Sequence, residues 1–121
     1  MIVIAYEQVD LSDHGAIEVR YRNQSNVQMC FPQGQWPSKA GGILDAADRA
    51  FLIVGPERFP MRWFDPWYCI GGKGNRCETV VKKGRSLVTR IPYEFFDLPS
   101  DLRQQPKHLE FTARACPCEH D

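Results

Sequence analysis

From Ala16 to Arg22 the chain sets Ile17, Val19 and Tyr21 against Glu18, Arg20 and Arg22. Side chains of an extended strand leave on alternate faces, so this period of two predicts a strand with one buried and one wet face. The alternation returns from Lys107 to Cys116, where Leu109, Phe111, Ala113 and Ala115 oppose His108, Glu110, Thr112 and Arg114. Between these lie short β-prone runs: Val27 to Phe31, Ala50 to Val54, Arg58 to Asp65, Glu78 to Lys82 and Arg85 to Ile91. With Ile2 to Val9 they give seven or eight strands, separated by turn clusters such as 23–26, Gly55-Pro56 and Lys83-Gly84. Ser100 offers a helix start that Pro106 confines to a turn or two. No long helical period and no alternation of strands with helices is present. The expectation is an all-β antiparallel sandwich, immunoglobulin-like, with one short helical segment.

At 121 residues the chain has room for one core, so residues 1–121 are read as one domain, with 116–121 as a flexible tail. Lys plus Arg and Asp plus Glu both number 15, and this balance argues against a nucleic-acid partner. No apolar run approaches the roughly 20 residues needed to span a bilayer. Met1 to Tyr6 lacks the charged start and apolar stretch of a signal peptide. The chain is therefore either cytoplasmic or exported with a leader outside this sequence.

Five cysteines divide into three positions of interest. Cys69 and Cys77 bracket a glycine-rich loop, and a disulfide across it would stabilise by roughly 2–3 kcal/mol in a chain-entropy estimate. Cys30 follows one alternating segment and Cys116 ends another, so a second bridge from Cys30 to Cys116 or Cys118 is expected, leaving one free thiol. The rival reading is a metal site of Cys116, Cys118 and His120, since thiolate and imidazole suit zinc or copper. Its C-x-C-x-H spacing departs from the usual C-x2-C, and it lies where chain ends fray. No cofactor is expected.

The segment from Arg62 to Tyr68 carries Trp63, Phe64, Trp67 and Tyr68. Aromatics and arginine dominate interface hot spots because they bury area while keeping a polar handle. Arg62, Trp63, Phe64, Trp67 and Tyr68, with Trp36 from the long 32–49 loop, are the candidate partner-binding residues. Catalytic residues are not assigned. His14 lies in a turn, His108 on a wet strand face and His120 in the tail, none in a nucleophile or zinc-protease motif. The glycine-rich 71–74 stretch lacks the following helix that makes phosphate loops specific.

The run Ile17 to Asn23, the cysteine strand, Val80 to Leu87, Ile91 to Leu98 and Leu109 to Phe111 together resemble small bacterial immunoglobulin-like domains. Domains of that group occur in exported inhibitor-like proteins and in accessory regions of secreted peptidases. The resemblance implies a periplasmic or secreted binding protein, not an enzyme, that inhibits a partner enzyme, as an immunity protein does a bacterial toxin. Metal binding by the tail and recognition of glycan or peptidoglycan by the aromatics are the alternatives.

Overall fold

A computed structural model of the chain describes residues 2–32, 34–37, 50–62 and 79–118. They form ten strands: β1 (Ile2–Ile4), β2 (Glu7–Leu11), β3 (Ala16–Arg22), β4 (Met29–Phe31), β5 (Phe51–Val54), β6 (Glu57–Pro60), β7 (Thr79–Val81), β8 (Ser86–Pro92), β9 (Lys107–Glu110) and β10 (Ala113–Pro117). Three antiparallel sheets result, ordered β1-β10-β4-β7, β2-β3-β8 and β6-β5-β9. This is an all-β sandwich. The helical content among the described residues is 3₁₀ turns at Ser12–His14, Tyr93–Phe96 and Ser100–Leu102. Ser100 begins its turn and does not cap it: Pro99 holds the cap position, without a side-chain hydrogen bond. No helix among the described residues is long and apolar enough to cross a membrane.

Ten strands stand among the described residues where seven or eight were predicted, in part because two of the predicted runs each break and change sheet. The Ile2 to Val9 run divides at residues 5 and 6, so that β1 pairs with β10 while β2 pairs with β3. The Lys107 to Cys116 run divides at 111 and 112, so that β9 pairs with β5 while β10 pairs with β1 and β4. Alternation of side chains cannot report such a switch, since the period of two runs through it unchanged. The two breaks meet in space. The Tyr6 ring stacks on Phe111 at 4.6 Å between centroids, and its hydroxyl donates to the Phe111 carbonyl at 2.8 Å. Two residues on, the Gln8 amide donates to the Leu109 carbonyl at 2.9 Å and accepts from the Leu109 N–H at 2.6 Å. A side chain thus stands in for a neighbouring strand at the edge of β9.

The inward rows of all three sheets form one core. Ile17, Val19 and Ile91 come from the second sheet, Phe31, Val81 and Ala113 from the first, and Leu52 and Leu109 from the third. Trp36 is 1% exposed at its centre, with the rings of Tyr6, Tyr21, Phe31 and Phe111 at 5.4–6.4 Å and its indole N–H donating to the Thr89 hydroxyl at 3.0 Å. An interior this deep fixes its identity: Trp36 is a core residue and not a partner contact, contrary to the sequence-based expectation.

Asn23, fully buried where β3 ends, joins the first two sheets. Its amide nitrogen donates to the Val27 and Val81 carbonyls, both at 2.9 Å. Its oxygen accepts from the Ser25 N–H and hydroxyl. Its backbone bonds Arg85 and Gly84, and Gly84, at φ 76°, turns β7 into β8. Replacing Asn23 by Ala removes all four side-chain bonds and takes the donor from the buried Val81 carbonyl, a loss that by itself costs about 1–3 kcal/mol. Urea unfolding of Asn23→Ala is expected to show a loss of about 2–4 kcal/mol, against about 1 for Ser25→Ala.

Candidate functional site

β9 presents Lys107 and Leu109 inward and His108 and Glu110 outward. The lysine side chain is therefore carried into the interior, fully buried. All three of its protons are placed: on Asp10 Oδ2 at 3.1 Å, on the Arg103 carbonyl at 2.6 Å and on the Gln105 carbonyl at 2.8 Å. Its ammonium also lies 4.6 Å from the centroid of the Tyr93 ring. Burying a charge is unfavourable unless it is paired and hydrogen-bonded, and here both conditions hold. Tyr93 completes the group by donating its hydroxyl to Asp10 Oδ1. Asp10, from β2, so accepts from both neighbours. Burial first, then the hydrogen bond to the Asp10 carboxylate and its charge, hold the Tyr93 hydroxyl well above the usual phenol range, opposed by the Arg103 guanidinium.

The cluster anchors the 93–106 arm that connects β8 to β9. The Tyr93 N–H donates to the Gly15 carbonyl at 2.9 Å, and Gly15 sits at φ 64°. A Cβ at Gly15 would collide with the Arg103 guanidinium, so glycine serves there both for its conformation and for the close approach of that side chain. Beside the arm opens a cleft of about 330 Å³ lined by His14, Gly15, Tyr93, Glu94, Leu98 and Arg103, among others. A cation, a carboxylate and an imidazole face one space, an arrangement suited to hydrogen-bonding recognition of a polar group.

Arg62 contacts the same arm. Its N–H donates to the Phe95 carbonyl at 2.7 Å, and its exposed guanidinium lies 3.6 Å from Asp97. Trp63, Phe64, Trp67 and Tyr68 lie outside the described residues, as do Cys69, Cys77 and His120. The structure therefore places Arg62 of the expected contact set at the surface and Trp36 in the core.

Cys30 is bonded to Cys118, and Cys116, the first-named alternative partner, is a free thiol. The reason lies in the ladder. Cys116 is the direct register partner of Cys30. The Cys118 N–H bonds the Gln28 carbonyl, and alternation makes 116 and 30 a hydrogen-bonded pair as well. Such pairs hold their Cβ atoms toward 5.5 Å, wider than the roughly 3.5–4.5 Å a disulfide takes. Cys118 lies one residue past the end of β10 and is free of the pleat, with its Cα 5.1 Å from that of Cys30. The bond also removes Cys118 from the metal set of Cys116, Cys118 and His120. Among the described residues no group of three metal-ligating side chains is present.

Comparison with family models, curated proteins and solved structures finds no match to this chain.

The sequence carries a signal for two members of this cluster. Lys107 shares the parity of Leu109, which marks it as inward, and Tyr93 follows Ile91 on the buried side of β8. Their partner, Asp10, lies one residue beyond the Ile2 to Val9 run, where β2 continues to Leu11.

Loss of the phenol–carboxylate bond in Tyr93→Phe is expected to lower stability by about 1.5–3 kcal/mol at pH 7. The folded-state ionisation of Tyr93 is raised, so its contribution is fully present below the unfolded value near 10 and is lost as pH climbs beyond it. Tyr6 and Tyr21 are raised too, chiefly by burial, and add to the alkaline decline. Denaturant titrations between pH 7 and pH 11 should therefore show the wild type losing stability above pH 10, more steeply than Tyr93→Phe. Parallel curves would refute the assignment.

Proposed function

We propose that this chain is an exported binding module that occupies and inhibits a partner enzyme, in the manner of an immunity protein, and is not itself a catalyst. The observation that carries this reading is the internally satisfied Asp10–Tyr93–Lys107 cluster, which fixes the 93–106 arm beside Arg62 and the cleft. A surface already ordered before contact loses less conformational entropy on binding, so more of its contact energy appears as affinity. Each polar group of the cluster spends its hydrogen bonds inside the protein, as a support does. The side chains turned to the cleft and surface, His14, Glu94, Arg103 and Arg62, supply the polar rim of a contact, and the sequence that follows Arg62 supplies aromatic anchors. The Cys30–Cys118 bond suits an oxidising compartment and supports export.

The test is titration calorimetry of the oxidised protein against secreted hydrolases encoded beside its gene, with peptidoglycan fragments as the comparison ligand. A one-to-one complex that abolishes hydrolase activity is expected, weakened at least about tenfold by Arg62→Ala and by Trp67→Ala. Saturable heat from the glycan alone would overturn the inhibitor reading in favour of glycan recognition.

A further inference from the structure

The outer face of the first sheet carries a row of sulfur. Cys116 on β10 and Val80 on β7 flank Cys30 on β4 in direct register, and Cys118 reaches the same face two residues after Cys116. Val3 and Val80, on the same face, are 65% and 45% exposed, while Cys30 between its neighbours is 4% exposed, so the row runs from a buried centre to exposed flanks. The Cys116 thiol is partly exposed and donates to the Cys30 carbonyl, with the sulfur 3.8 Å from that oxygen. One sulfur, Cys30, therefore has two competing partners: Cys118, to which it is bonded, and Cys116, directly across the ladder at the roughly 5.5 Å Cα separation of a hydrogen-bonded pair, within the range disulfides span.

We propose that Cys116 is a built-in exchange nucleophile that isomerises the Cys30–Cys118 disulfide and so works a latch on the C-terminal end. The Cys116 thiolate forms a bond to Cys30 Sγ as the Cys30–Cys118 bond breaks, and the bonding pair leaves on Cys118 Sγ. The proton given up by Cys116 passes to solvent and Cys118 takes one back, so no oxidant or reductant is consumed. The new bond lies within the ladder, where the pairing geometry is wider than a disulfide favours, so the Cys30–Cys118 form predominates at equilibrium. The minor form detaches Cys118 from β4 and transfers the reactive thiol from a strand to the chain beyond it, where it is open to mixed disulfides with an outside thiol or disulfide. Two thiols placed for one partner give the protein two covalent states with the same number of bonds.

The experiment is disulfide mapping of the oxidised full chain. The protein is held at pH 8 without added thiol, quenched in acid, alkylated with N-ethylmaleimide under conditions that halt exchange, and cleaved with trypsin. Cys116 and Cys118 then share one peptide beginning at Ala115, and fragmentation of that peptide, still linked to the one containing Cys30, locates the adduct. The expected result is a major adduct on Cys116 and a minor one on Cys118 that grows to a plateau with time at pH 8. In Cys116→Ser neither position is alkylated. In Cys118→Ser, oxidation should yield a Cys30–Cys116 bond. Adduct confined to Cys116 at every time point overturns the proposal, and so does a folded Cys118→Ser protein whose Cys30 and Cys116 thiols both remain free after oxidation.

Discussion

Two strand breaks that meet and close each other's hydrogen bonds hold this fold together. A strand that leaves one sheet for another strips its backbone of ladder partners at the bend, and a buried N–H or C=O left unpaired costs about as much as the bond it lost. Here the bend after β1 and the bend after β9 lie against one another. Tyr6 takes the free carbonyl of Phe111, and Gln8 takes both backbone groups of Leu109. Because of these bonds β1 and β10 can belong to one sheet while β2 and β9, continuations of the same two segments, belong to two others. The Trp36 cluster then fills the space that the divergence opens, with Tyr6 and Phe111 forming part of its wall.

Side-chain parity carried most of this fold. It marked β3 correctly at both ends, and it separated the buried from the wet residues of β9 and β10. What it could not carry was partnership. Nothing in the alternation says that the strand ending in Cys116 serves two sheets, or that Trp36, in a stretch rich in proline and glycine, turns inward. The choice between Cys116 and Cys118 depended on whether a ladder hydrogen bond holds the pair apart, which is a property of register and not of spacing. For the site, Arg62 stood out through its aromatic neighbours, whereas Asp10, Tyr93 and Lys107 are far apart in the chain and become a unit only when β2, β8 and β9 come together.

That unit illustrates how a buried charge can serve specificity more than stability. Removing Asp10 and Lys107 from water is costly, and their mutual attraction with the added hydrogen bonds offsets that cost only in this one arrangement. A slip of β9 by one residue would turn Lys107 outward, leave Asp10 and Tyr93 without it, and carry Leu109 into solvent. The pairing of β9 with β5 is thus fixed from its polar end as well as its apolar one, and the arm that follows β8 inherits a single position.

The Cys30–Cys118 bond has a mechanical meaning as well. A pull applied at Cys118 divides between β10, through the backbone, and β4, through sulfur, and once the chain is drawn taut the disulfide is the shorter path. The span closed by the bond, 88 residues in sequence separation, is out of the path of the load. About 300 Å of chain would stay coiled however far the ends were drawn apart. Strand β10, held between β1 and β4, cannot be peeled away from its Cys118 side while that bond stands, so a taut chain loads the strands that precede Cys30.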